Sequence, residues 1–502
     1  MAAAGLGPAP AWAGSHADDQ AAQAPAVELA RLRAELQALE ADEAEERARE
    51  AQRARRIEEL KSRLDALAGS SNAPATTAAE AAPSSVKTAQ AALTPPKSEE
   101  PAGAHTYRSV EDQPTPAAPP LAPNNETPSR VFEIYGFTQA DYIQDFNRLA
   151  PDWEATLRPS EIPTVKGEFG SNGQSILSVR QSRFDLQAWT PIRDVPLKVL
   201  FGFDLFGVGA QAGETTFHLR YAYGEWGHLL AGQTDSLFAN LDMFPNVIDY
   251  WGPPGMVVLR DPQIRWSFFD RDDLRLAVAI EGQAINNDPG LIRQIDPNLG
   301  ANIQPDEKAP DFTAQFRIKR DWGTLQVSGV LRLLGYETLG VIDNRPRGNE
   351  TGWGVNVGST LKVTDRDKLI MGVVYGHGIA SYIEDGGVDL APVGAPGNLH
   401  GVAVPLLGLN FYLEHSWNAR MATALGWGET RVANTSFQGP DAFQIGDYAS
   451  INLLYTPIRN VLLGGEFLYG RRVDKDGAQG HDTRLQFSVR YDFATGNLVP
   501  DR

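Results

Sequence analysis

Cysteine is absent from all 502 residues. Disulfide frameworks, thiolate metal sites and cysteine nucleophiles are therefore excluded. No uninterrupted apolar run reaches the ~18 to 20 residues that a spanning helix needs. Basic residues are in deficit: 45 Lys and Arg stand against 63 Asp and Glu, for a formal net charge of -18. Nucleic acid is a poor partner for such a chain, because phosphate binding needs a basic surface. The eight histidines form no H-E-x-x-H or other ligand spacing, and neither G-x-S-x-G nor a phosphate loop occurs. Asp474-Lys475-Asp476-Gly477 resembles the start of a calcium loop but lacks the rest, and reads better as a polar hairpin loop. No catalytic residue, cofactor or metal is expected, and the chain does not read as an enzyme.

What the chain has instead is glycine and aromatics: 48 Gly, 10 Trp, 14 Tyr and 21 Phe. They crowd into the second two-thirds, a composition that suits many short strands joined by tight turns.

Four composition changes divide the chain. Residues 1–26 contain Ala11-Trp12-Ala13-Gly14, which looks like the small-residue end of a secretory signal. No Lys or Arg precedes it, so residues 1–26 read as a signal-peptide remnant or as a flexible tail. Residues 27–68 carry Leu29, Leu32, Leu36 and Leu39, then Ile57, Leu60, Leu64 and Leu67, spaced three and four apart. One continuous register would put Glu43, Glu46, Glu50 and Arg53 on the seam, which a strict heptad does not tolerate. Ala41, Ala44, Ala48 and Ala51 offer a narrow seam between the Leu-rich ends, with local phase shifts. The expected element is a periplasmic trimeric coiled coil, about 60 Å long at 1.5 Å per residue; a single solvated helix is the other reading. Residues 69–130 are rich in Ala, Pro, Ser and Thr and too poor in large apolar residues to build a core. They read as a disordered linker.

From residue 131 to 493 the hydrophobic period becomes two. Short turns recur at 191–194, 225–228, 270–273, 320–323, 364–367, 416–419 and 456–460. Longer polar segments lie between them, such as 147–174, 286–309 and 379–402. Alternation of short and long connections marks an outer-membrane barrel. Seven turns with free first and last strands give sixteen strands. Leu274, Leu276, Val278 and Ile280 share one face, as do Leu485, Phe487, Val489 and Tyr491, with polar residues between them. A soluble sandwich would alternate in the same way; the turn asymmetry and the aromatics near strand ends favour lipid. The fold class is thus all-β: a 16-stranded antiparallel transmembrane β-barrel, with an N-terminal α-helical coiled coil. Residues 494–502 form a polar C-terminal tail beyond Tyr491-Asp492-Phe493, where barrels of this kind usually end on an aromatic.

Alternation also assigns the lumen. Arg183, Arg220, Arg265, Arg275, Arg317, Lys319, Arg332, Arg484 and Arg490 fall on inward positions, and Arg260 lies at the return of the third long connection. Lys198 falls inward as well. Guanidinium matches carboxylate geometry bidentately, and rings of Arg or Lys favour anions in a pore. Asp185, Asp204, Glu281 and Glu466 also point inward, so the arginines either bind solutes or pair with neighbouring carboxylates. The third long connection, 238–259, is apolar for an exposed loop. Asp242, Phe244, Asp249, Tyr250 and Trp251 would form a constriction if it folds into the barrel; packing between subunits is the rival reading.

The order of the segments resembles a known family. Ile134-Tyr135-Gly136-Phe137-Thr138-Gln139-Ala140-Asp141 opens the barrel, followed by Gln181-Ser182-Arg183-Phe184 and Gly232-Gln233-Thr234-Asp235-Ser236. Then come Phe244-Pro245-Asn246-Val247-Ile248-Asp249-Tyr250-Trp251-Gly252-Pro253-Pro254-Gly255 and Arg260-Asp261-Pro262-Gln263-Ile264-Arg265. Together they resemble the DcaP family of outer-membrane porins. The resemblance implies a trimeric sixteen-stranded channel of the Gram-negative outer membrane that takes up dicarboxylates and similar small anions, with Arg183, Arg260 and Arg265 on matching motif positions. Expected partners are two further copies of the chain, outer-membrane lipid and lipopolysaccharide, small anionic solutes, and peptidoglycan or a periplasmic protein at the coiled coil. A general porin without preference, and an envelope tether or adhesin anchored by its barrel, are the alternatives.

Overall fold

The structure, a computed structural model, describes residues 131–495 except 194, 396 and 397. The expected coiled coil, the linker, residues 1–26 and most of the C-terminal tail lie outside the described residues.

Sixteen strands form the wall. They are β1 (Val131–Asp145), β2 in two segments (Gln174–Ser178 and Arg183–Ile192), β3 (Val195–Phe206), β4 (Thr215–Trp226), β5 (Leu229–Asp235), β6 (Arg260–Arg271), β7 (Leu274–Glu281) and β8 (Asp311–Arg320). Then follow β9 (Gly323–Thr338), β10 (Gly348–Lys362), β11 (Asp367–His377), β12 (Pro405–Asn418), β13 (Met421–Val432), β14 (Phe443–Tyr455), β15 (Val461–Asp474) and β16 (Gln479–Ala494). Each pairs antiparallel with the next, and β16 returns to β1, with Tyr135 opposite Ala494 and Asp145 opposite Arg484. Closure leaves no sheet edge for hydrocarbon to meet. All seven expected turns fall at the observed short connections.

Burial is inverted relative to a soluble sheet. On β16 Phe487, Val489 and Tyr491 are exposed, while Gln486, Ser488 and Arg490 are buried. On β8 Phe312 and Phe316 are exposed, while Thr313 and Gln315 are buried. Only an apolar solvent outside and a polar interior make that arrangement stable. Trp226, Trp322, Trp417 and Tyr455 are exposed beside the short turns, where amphipathic rings meet the membrane interface.

Two irregularities shape the interior. The first interrupts β2: Phe137 faces Arg183 and Asp141 faces Ser178, so four residues of β2 match three of β1. Both Arg180 and Gln181 turn inward and are buried there. A Cβ on Gly136 would lie 2.2 Å from the Arg183 carbonyl oxygen, so this crossing needs glycine. The second is a bulge in β4. Gly202 faces Tyr221 but Phe203 faces Leu219, which leaves Arg220 as the extra residue and turns Arg220 and Tyr221 to the same side.

Candidate functional site: two lumen cavities and a guanidinium cluster

The loop between β5 and β6, residues 236–259, lies inside the barrel. Its backbone is held by inward side chains from much of the wall. Ser328 Oγ and Asn356 Nδ2 donate to the Phe238 carbonyl at 2.8 and 2.9 Å. Gln326 Nε2 donates to the Ala239 carbonyl at 2.7 Å. Farther along, the Asn246 amide donates to Glu414 and the Ile248 amide to Glu466, at 2.9 and 2.6 Å. Gln486 Nε2 reaches the Ile248 carbonyl at 2.8 Å. The wall is also cut away for the loop: Cβ atoms on Gly358 or Gly372 would fall within 2 Å of Met243. An inserted loop whose amides and carbonyls are so met loses little by leaving water.

Its apex is tied to the first loop, 146–173. Asp249 accepts from Thr156 Oγ1, the Leu157 amide and the Gly252 amide, at 2.9, 3.0 and 3.2 Å. Burial pushes its carboxyl up to about 6. The Tyr250 ring stacks on Phe206 with centroids 3.8 Å apart, and its hydroxyl donates to Asp204 Oδ2 at 2.7 Å. Arg158 lies over both the Trp153 and Trp251 rings, 4.0 and 4.3 Å from their centroids. The same guanidinium pairs with Asp385 of the sixth loop at 2.8 Å. Burial also raises the Glu161 carboxyl beside it. Three loops thus meet over the pore.

Two cavities occupy the lumen that these loops leave open. The outer one, about 510 Å³, is lined on the loop side by Arg158, Glu161, Trp251, Glu384 and Asp385, and on the wall by His218, Arg220, Gln233 and Arg260. The inner one, about 400 Å³, faces the short turns and is lined by Arg183, Lys198, Tyr221, Tyr223, Glu225, Asp242, Arg265, Asp270, Arg275 and Arg317. The Tyr221 ring lines the inner cavity. Three guanidiniums surround it, with Arg183, Arg220 and Arg260 at 5.3, 5.7 and 5.6 Å from its centroid. Each guanidinium has a carboxylate: Asp185 at 2.7 Å from Arg183, Asp204 at 3.1 Å from Arg220 and Asp235 at 2.9 Å from Arg260. These pairs fix the cations in place, with Arg183 on the lining of the inner cavity and Arg220 and Arg260 on that of the outer one.

The other expected site residues divide. Arg265, Arg275 and Arg317 line the inner cavity, and Arg317 is held by Asp242, with Nη2 to Oδ1 at 2.8 Å. Phe244, Asp249, Tyr250 and Trp251 line the outer one. Three inward arginines correct the pore-lining expectation. Arg332 is enclosed between Asp311 and Asp389 with its side chain 0% exposed. Arg484 is clamped by Asp145 and Asp482 at 1% exposure. Arg490 lies over the Phe137 ring, pairs with Asp492 and is 1% exposed. Inserted loops or neighbouring side chains close over them, so none of the three lines either cavity. Lys319 lies exposed at the short-turn rim and lines neither cavity. Sequence reasoning missed Arg158, Glu384 and Asp385, which sit in aperiodic loops. It also missed Tyr221, which the β4 bulge moves off the two-residue period.

A closed sixteen-stranded barrel with a polar interior and an inserted third connection defines an outer-membrane channel of the porin class. The family model described as DcaP outer membrane protein matches residues 132–493, and the chain belongs to that family. Its place is therefore the Gram-negative outer membrane, and the family's members are channels, not enzymes. The solved outer-membrane channel DcaP of Acinetobacter baumannii is 21% identical, with a TM-score of 0.62, covering 74% of this chain and 100% of that one. An anion-selective porin from Comamonas acidovorans is 8% identical with a TM-score of 0.47, over 73% and 100%. OmpF of Salmonella typhi, in complex with daunomycin, is 10% identical with a TM-score of 0.44, over 72% and 97%. No curated protein matches the chain.

Proposed function

We propose that this porin passes small anionic solutes by passive diffusion, dicarboxylates and related carboxylates above all. The observation that carries this reading is the guanidinium cluster of Arg183, Arg220 and Arg260 around Tyr221, whose members line both cavities. A carboxylate leaving water needs N–H donors to replace its hydration. Guanidiniums held by neighbouring carboxylates present those donors without having to reorganise. Their charges are balanced, so binding stays weak enough for release. Residues 236–259 would set the size limit, since they fill the interior beside the cluster. We further propose that the protein is a homotrimer whose residues 27–68 join three barrels on the periplasmic side, where linked chains gain effective concentration. That end would also be the one to meet peptidoglycan or a periplasmic partner.

Charge balance favours one other reading, a general porin with little preference. Planar-bilayer recordings under a salt gradient separate the two. The proposal expects an anion-directed reversal potential, three-step closure and concentration-dependent block by succinate. A reversal potential near zero with no block would leave the general porin.

A further inference from the structure

Most lumen cations are matched one to one. Arg183, Arg220, Arg260, Arg275 and Arg317 each have a carboxylate partner, in Asp185, Asp204, Asp235, Asp270 and Asp242. Two cations of the inner cavity differ. Arg265 spends its guanidinium on neutral oxygens: Nε donates to Gln263 Oε1 at 3.0 Å and Nη2 to the Asp235 carbonyl at 2.6 Å. Lys198 has the Tyr223 ring beneath its ammonium, 5.4 Å from the centroid. Among the described residues no carboxylate forms an ion pair with either.

Strand register places them together. Lys198 of β3 faces Glu225 of β4, Glu225 faces Leu230 of β5, and Leu230 faces Arg265 of β6. The four stand in one row across the inner wall. Glu225 lies between the two cations and offsets one of their charges. Asp272 also lines the cavity but sits exposed in the turn between β6 and β7, where water screens it. Arg275 and Arg317 are already engaged. The row itself therefore holds two cations against one carboxylate, with Glu281 and Asp235 acting on Arg265 from outside it, and a small anion that touches both cations offsets the cost of holding them partly buried.

We infer that the inner cavity is an anion-binding site of its own, in which Lys198 and Arg265 hold a small carboxylate beside the Tyr223 ring. This rests on the channel reading above and adds a second stop to it. The solute passes from the guanidinium cluster to the Lys198 and Arg265 row before it leaves on the short-turn side. Two weak sites in series let one anion displace the next.

Single-channel recording of the full chain tests this with succinate added on the short-turn side. Lys198→Gln and Arg265→Gln are each expected to weaken block several-fold and move the reversal potential toward cations. Glu225→Gln is expected to strengthen block and move it toward anions, an opposite sign that mere loss of packing would not produce. Channels that insert and conduct have folded, so misfolding does not mimic the result. Wild-type channels with neither block nor anion preference would overturn the anion-channel reading on which the inner site rests, and leave the general porin. An anion-preferring, blocked wild type whose three variants all match it would overturn the inner site alone.

Discussion

Tyr250 ties the inserted loop to the wall through one ring and one oxygen. Stacking on Phe206 needs only the ring, whereas the hydroxyl bond to Asp204 also bears on Arg220, which shares that carboxylate. Tyr250→Phe keeps the stack and removes a hydrogen bond to a charged acceptor, worth about 1.5 to 3 kcal/mol. The expected outcome is a lower thermal midpoint in detergent and more frequent current fluctuations, with unitary conductance nearly kept. Unchanged noise would show that the hydroxyl does not restrain the loop. Asp249 makes a second prediction. Its carboxyl is raised to about 6 by burial, so the folded state binds its proton more tightly than the unfolded chain does. The stability this costs is greatest above pH 6 and is recovered as pH falls toward 4. Between pH 7 and pH 5 the barrel should gain about 1 kcal/mol from this group. Asp249→Asn should lack that part of the pH dependence, measured as the difference between the two proteins' thermal midpoints across the window. Equal slopes would show that Asp249 is not perturbed.

At the scale of the element, the inserted loop and the glycines facing it form one unit. Met243 rests where Gly358 of β10 and Gly372 of β11 leave room. Gly372→Leu should push the loop away from the wall and into the lumen. Unitary conductance is expected to fall by half or more, and the folded barrel should lose about 1 to 3 kcal/mol from overpacking. A variant with wild-type conductance would mean that the loop does not limit the pore. The strands were legible in the sequence because lipid and water impose period two along each one, and turn residues punctuate it. Leu274 to Ile280 and Leu485 to Tyr491 show that pattern plainly. Period two fails where the chain bulges. Arg220 and Tyr221 are neighbours that share a side, and Arg180 and Gln181 do the same within β2. Nor does alternation tell an open lumen from a filled one. Arg332, Arg484 and Arg490 point inward as expected, yet carboxylates and loops enclose them. Asp389 and Asp145 come from distant parts of the chain, which no local pattern reveals, whereas Asp482 and Asp492 stand two residues from the arginines they pair with.

At the scale of the whole molecule, a chain with a formal net charge of -18 is proposed to carry anions. The two are compatible because a solute in the lumen senses the nearest wall far more than the distant surface, beyond a Debye length of about 8 Å in physiological salt. Balanced pairs surround Tyr221, and the unmatched cations stand in the inner cavity. Anion preference should therefore weaken with rising ionic strength while succinate block persists, since direct contacts are screened less than the long-range field. The measurement that bears most directly on the account is the reversal potential of the wild-type channel in a planar bilayer under a tenfold potassium chloride gradient. The account predicts a potential displaced toward the chloride equilibrium value, reduced when succinate is present. A potential at zero or toward the potassium value would contradict it.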